Sequence, residues 1–246
     1  MIKINKLTKP SILSDSFVQT KTQAYKANKK LTPWKHIDIA TALRKETHDK
    51  CCYCESKIGR KDSFPEVEHF KPKSKYEDDV LDWSNLICVC SRCNKKKWDH
   101  DVVLYPIINP TTEQPNMHIY LSHALTLNGF TDKGKLTILK LDLNNKEKIY
   151  ISRCTVALAL STKLYSVELE INNIDDIKTK AKIVNTIEDI LQECLEDSEF
   201  SALCSTIVVN SSSFRIAMQK LRDINLWDDE MQDMLQIASR NAFTIR

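Results

Sequence analysis

The sequence predicts an α+β protein: a small module of short strands and one helix stapled through cysteine pairs, preceded by an N-terminal arm and helix, and followed by a mostly helical C-terminal region. Three observations carry this. Cys51/Cys54 and Cys90/Cys93 are two C-x-x-C pairs, each with the gap that lets a tight turn point both thiolates at one tetrahedral ion. Between them, Pro65 and Pro72 bracket an extended run through Val67, His69 and Phe70, and Leu86-Ile87-Cys88-Val89 is a short apolar run. From Lys148 onward the apolar residues recur with helical period.

Taken in order, residues 1–30 are polar, lysine-rich and without clear period, and read as an extended arm or docking segment. Thr32-Pro33-Trp34 opens a helix, with proline in the first turn, that runs through Ile37, Ile39, Ala40 and Leu43 toward the first cysteine pair. Pro65 to Pro72 reads as a strand or hairpin arm, Glu77 to Asp82 as an acidic loop, and Leu86 to Val89 as a buried strand or loop. A helix from Ser91 to about His100 would place Asn94, Lys97, Trp98 and Asp101 on one face. Beyond Pro106 and Pro110 come short alternating segments at 117–121, 124–127 and 136–143, the last read as β-like and followed by an Asn144-Asn145 turn. Helices then follow at about 148–169, 175–195, 213–222 and 228–241. The expected division is an arm and helix over 1–47, a cysteine-stapled module over 48–103, and a mixed then helical region over 104–246 suited to docking a partner.

The chain has 246 residues, and its nine cysteines, six of them crowded between Cys51 and Cys93, suit a metal site in a reducing compartment better than a disulfide frame. Four thiolates at this spacing point to a closed structural zinc; a thioredoxin-like redox pair would need a βαβ pattern that neither pair has beside it. Cys52 and Cys88 are read as buried small hydrophobes. No apolar run approaches a membrane span and no signal-peptide core is present, so a soluble, cytoplasmic protein is expected. Three glycines leave little room for phosphate-cradling loops, and neither a Walker nor a Rossmann motif is present. Residues 1–103 hold 21 Lys/Arg against 14 Asp/Glu, a net +7, whereas residues 104–246 hold 15 against 19, a net −4, so the cysteine-bearing half is the one suited to a polyanion.

Glu68-His69, the Trp83-Ser84-Asn85-Leu86 stretch and a helix beginning near Asn94 gather a carboxylate, an imidazole and two amides at one braced corner. Water is a poor nucleophile at neutral pH, and an imidazole can take its proton; a divalent cation on hard oxygen ligands can neutralise charge growing on a phosphate. Here the residues resemble the HNH endonuclease family, with its ββα-metal, treble-clef-like fold: Cys51-Cys52-Tyr53-Cys54, Glu68-His69, Asn85-Leu86, and Cys90-Ser91-Arg92-Cys93-Asn94-Lys95-Lys96-Lys97. The resemblance implies His69 as general base, Asn85 as the amide that steadies the loop and the histidine, and Glu68 and Asn94 as ligands of a catalytic Mg²⁺ or Mn²⁺. Cys51, Cys54, Cys90 and Cys93 would hold structural zinc. Neighbours on a regular strand face opposite ways, so Glu66 or a water can stand in for Glu68. Lys97 either meets a phosphate or projects into water. Trp83 and Trp98 are expected as wedges in the module's core, and the remaining histidines show no ligand spacing.

The resemblance extends further. Met1-Ile2-Lys3-Ile4, Val67-Glu68-His69-Phe70-Lys71-Pro72-Lys73-Ser74 and Thr137-Ile138-Leu139-Lys140-Leu141-Asp142-Leu143-Asn144 are similar to the HNH component, PtuB, of Septu-type and retron-linked anti-phage systems. That similarity implies a bacterial defence effector acting on nucleic acid, DNA or tRNA, beside an ABC-type ATPase partner of the PtuA kind. The competing expectation is a non-catalytic zinc-binding module that recognises nucleic acid or protein.

Overall fold

The computed structural model describes residues 1–59, 64–171, 174 and 176–246. The described residues fall into two compact units, one formed by 1–118 with 129–143 and the other by 119–128 with 144–246.

In the first unit the opening residues form a docked segment, the second of the two expectations for them, and not a free arm. Met1, Ile2, Ile4 and Leu13 are buried, Lys6 Nζ lies 2.9 Å from Glu46 Oε2, and the Leu7 amide donates to Glu46 Oε1 at 2.8 Å. These apolar residues are few and unevenly spaced among lysines, so they give the sequence no readable period. Helix α1 (Asp15–Ala27) follows, its N-terminus capped by Ser14, whose hydroxyl accepts from the Phe17 amide at 3.3 Å. A single tight turn at Pro33–Lys35 leads into α2 (Ile37–Glu46), which buries Ile39 and Leu43.

Strand β1 (Pro65–His69) pairs antiparallel with β2 (Leu86–Cys90), and the register sets Glu66 opposite Val89, Glu68 opposite Ile87 and His69 opposite Leu86. Every β2 residue is buried, which explains its unbroken apolar run. Helix α3 (Ser91–Lys97) starts on Cys90 and is shorter than the expected reach to His100. Trp98 stops it by taking φ 52° and ψ −130°, so the expected common face of Asn94, Lys97, Trp98 and Asp101 is broken. Trp98 is 72% exposed, a correction to its expected place in the core.

The β-like stretch 136–143 is helical: α4 runs Asp132–Leu141, with Thr131 capping the Gly134 amide at 3.1 Å. Its buried residues Gly134, Thr137 and Leu141 lie three and four apart, a helical stripe that local Leu/Thr/Ile alternation imitates. Arg92 fastens the C-terminal end of α4 to α3 by donating to the Leu141 carbonyl at 3.2 Å and the Asp142 carbonyl at 2.5 Å.

The second unit holds a short hairpin, whose strand β3 (Ile119–Leu121) pairs with β4 (Leu127–Gly129), and five helices among its described residues. These are α5 (Ile151–Glu170), α6 (Ile177–Gln192), α7 (Ser201–Asn210), α8 (Ser212–Asp223) and α9 (Asp229–Asn241). The α6 start expected at Asp175 lies outside the described residues. Helix α7 escaped the sequence reading because it is buried nearly all round and so lacks an amphipathic period. It packs on α9, while α5 packs on α6 and α8 around Leu160, Leu164, Ile187, Phe214 and Met231. Among the described residues, no helix is long and apolar enough to cross a membrane.

Candidate metal centre and active site

The Cys51 turn is held by its own backbone. Its amide donates to the Ser56 carbonyl at 3.0 Å, and the Cys52 amide donates to the Cys88 carbonyl at 3.1 Å, which docks the first pair against β2. The second pair straddles the β2–α3 junction, where Cys90 Sγ accepts from the Cys93 amide at 3.5 Å. As a result the four Sγ atoms of Cys51, Cys54, Cys90 and Cys93 lie within 4.8 Å of one another, all buried, and Cys54 and Cys90 stand 3.8 Å apart. A tetrahedron of Zn–S bonds of about 2.3 Å needs sulfurs about 3.8 Å apart, so the donor set fits zinc in number, type and spacing. Burial pushes the Cys51 thiol up, whereas donors from Cys51, Cys54 and Cys93 hold the Cys90 thiol down. Only a cation would let all four sulfurs carry charge together. Cys52 and Cys88 are buried outside this cluster.

The sheet that the cysteines brace divides the other candidate residues between its two faces. Strand alternation turns Glu66 and Glu68 toward α3 and His69 the other way. The His69 ring meets Trp34 edge-on at 4.8 Å, and its Nε2 lies 2.9 Å from the Val80 carbonyl. A carbonyl only accepts, so Nε2 donates and the lone pair of the neutral ring sits on Nδ1. Burial pulls the imidazole down to about 4, with Lys73 and Lys97 adding to the effect, so it is neutral at neutral pH. His69 is 3% exposed.

Asn85 ties the loop between the strands. Its Oδ1 accepts from the Lys71 amide at 2.7 Å, and its Nδ2 donates to the Lys71 and Asp79 carbonyls at 3.2 and 3.1 Å. Asp79 precedes Val80, so the same clasp fixes the carbonyl that orients His69. On the opposite face, the Asn94 amide donates to Glu66, while Lys97 Nζ lies 2.6 Å from Glu68 Oε1 and 2.9 Å from the His69 carbonyl. Burial pushes the Glu68 carboxyl up against the pull of Lys97. Lys97 itself is 0% exposed, an internal cation and not a side chain presented to solvent.

The structure therefore brings Asn94 to Glu66 and Lys97 to Glu68, with His69 on the reverse of the same strand. Three hard oxygen donors, Glu66, Glu68 and Asn94, line the β1–α3 contact and suit a hard divalent cation. Sequence reasoning missed Trp34 and the Val80 carbonyl as partners of His69. The first lies far away in the chain, and a backbone carbonyl leaves no mark in a sequence.

Comparison with known proteins gives the family and two relatives. Residues 51–100 match the family model described as HNH endonuclease. The chain is 33% identical over 213 residues to the Septu protein PtuB of Bacillus thuringiensis, a match covering 85% of this chain and 82% of that relative. A Septu protein PtuB of Bacillus mycoides strain KBAB4 is 30% identical over 133 residues, or 44% of each chain. No solved structure matches the chain.

Proposed function

On the premise that the chain belongs to the Septu PtuB family and carries an HNH endonuclease domain, we propose that it is a metal-dependent endonuclease that hydrolyses phosphodiester bonds, DNA or tRNA, as the effector of an anti-phage system. The observation that carries the reading is the histidine whose Nε2 donates to Val80 within a loop clasped by Asn85. That arrangement leaves Nδ1 as the base that accepts the proton of the attacking water. Cys51, Cys54, Cys90 and Cys93 hold zinc and do no chemistry. Glu68 and Asn94, joined by Glu66 on the same strand face, hold Mg²⁺ or Mn²⁺, which when bound supplies charge neutralisation at the phosphate and its leaving oxygen. Lys97 balances the charge of Glu68 from inside the fold in place of the expected phosphate contact.

The partner in this proposal is an ABC-type, PtuA-like ATPase, docked by the second unit. Helix α5 supports that placement: Ile151, Leu158, Tyr165 and Leu169 are 58%, 70%, 60% and 58% exposed at seven-, seven- and four-residue intervals, while Ala157, Leu160, Leu164 and Val167 face the core. An apolar stripe with a coiled-coil interval on the solvent side of a helix fits a helical partner.

The near-complete burial of His69 favours a second reading, a non-catalytic zinc-binding recognition module. The chain co-purified with its ATPase partner, incubated with DNA or tRNA, separates the two. Cleavage that needs added Mg²⁺ or Mn²⁺ and stops with chelator supports the nuclease; binding without cleavage under every divalent condition supports the module.

A further inference from the structure

The residue that ends α3 has an unusual conformation and an unusual position. At φ 52° and ψ −130°, Trp98 sits in a backbone region that side-chain-bearing residues avoid and that glycine tolerates. Its amide donates to the Asn94 carbonyl at 2.8 Å, so the backbone is firmly held in that strained form. The strain secures no burial: the residue is 72% exposed, and its indole makes no hydrogen bond, ring contact or cation contact among the described residues. A large aromatic kept in a costly conformation and presented to solvent is the pattern of a residue retained for contact with something else.

Its surroundings identify the contact. Trp98 directly follows Lys97, whose ammonium touches Glu68 and the His69 carbonyl, and stands four residues after Asn94. A few residues on, Val103, Leu104 and Tyr105 are exposed too, on a loop whose amides at 103 and 104 are held by Asp101. Lys95 is exposed on the last turn of α3, and Lys75 lies 3.5 Å from Asp101; Asp99 is exposed as well. An exposed indole three residues after the exposed Lys95, on the more basic half of the chain, has the chemistry of a stacking platform for nucleobases.

Resting on the nuclease reading above, we propose that Trp98 stacks on an unpaired base of the nucleic-acid strand beside the phosphate to be cut, and that the strained α3 terminus exists to present it. The site thereby prefers a strand with accessible bases over an intact duplex.

The test uses zinc-loaded full-length protein, with His69→Ala as the non-cleaving background for binding and fluorescein-labelled single-stranded and duplex oligonucleotides of one sequence as probes. Trp98→Gly is expected to weaken single-strand binding by about 10-fold or more, as loss of one base–aromatic stack predicts, while Trp98→Phe stays within about 3-fold of the parent background. Trp98→Gly is also expected to melt no lower than the parent, because glycine relieves the backbone. Trp98→Gly binding like the parent overturns the inference while divalent-dependent cleavage leaves the nuclease reading intact. Unchanged nucleic-acid binding with lost ATPase co-purification overturns it in favour of a protein-docking patch. Absence of nucleic-acid binding and cleavage by the parent, alone and with its partner, overturns both.

Discussion

Replacing Lys97 by methionine separates an internal countercharge from a phosphate contact. Lys97 is 0% exposed, with its ammonium 2.6 Å from Glu68 Oε1 and 2.9 Å from the His69 carbonyl, and Glu68 is itself 6% exposed. Methionine fills similar space without charge, so the loss is mainly electrostatic. Removing one member of a buried ion pair costs about 3–5 kcal/mol, because the other charge is left uncompensated. Burial already pushes the Glu68 carboxyl up, so proton uptake by Glu68 absorbs part of the loss and places the expectation near the lower end, about 3 kcal/mol. Glu68→Gln should cost a comparable amount by stranding the ammonium. The double variant Glu68→Gln/Lys97→Met should cost less than the two losses added, with a coupling above about 1 kcal/mol. Urea unfolding of zinc-loaded protein, followed by fluorescence, measures all three. A Lys97→Met loss below about 0.5 kcal/mol, the range of ordinary surface substitutions, would refute the internal-cation assignment and return Lys97 to the substrate-facing surface.

Three further predictions address other parts of the molecule. The folded His69 ring sits at about 4 against an ordinary 6.5, so its contribution is full above 6.5 and drains away as pH falls toward about 4, a loss of about 3 kcal/mol. The parent should therefore lose more stability on acidification than His69→Gln; parallel stability curves would contradict this. Elemental analysis should find one zinc per chain, and Cys90→Ser should lose it along with the cooperative unfolding of the first unit; a zinc-free, fully cooperative variant counts against the staple. Leu158→Glu with Tyr165→Glu should abolish co-purification of the ATPase partner while leaving the melting temperature within a few degrees, since both side chains are exposed; retained co-purification removes α5 as the docking face.

The metal frame was legible because it depends on spacing alone: two C-x-x-C pairs permit few arrangements, and their sulfurs converge within 4.8 Å. The β1–β2–α3 order was legible for a related reason, since proline punctuation and a wholly apolar run define short elements. The N-terminal segment was not, because its few apolar residues are diluted by lysines whose stems lie along the surface while Met1, Ile2 and Ile4 are buried. Helix α4 was misread from an alternation that a helix also satisfies over a few residues, and α7 went unseen because burial on all sides erases periodicity. Within the candidate site, residue types were readable but pairings were not. That Asn94 meets Glu66 and Lys97 meets Glu68 follows from strand alternation against a helix, and that geometry exists only once register and crossing are set.

The most direct measurement is phosphodiester cleavage by the partner-bound chain beside its His69→Ala variant, both verified to carry zinc and supplied with Mn²⁺. Removal of the general base should slow cleavage by roughly 100-fold or more while zinc content stays at the parent's, the variant melting lower for the loss of a buried ring but remaining folded at the assay temperature. A zinc-loaded, folded His69→Ala protein that cuts at the parental rate would contradict the account.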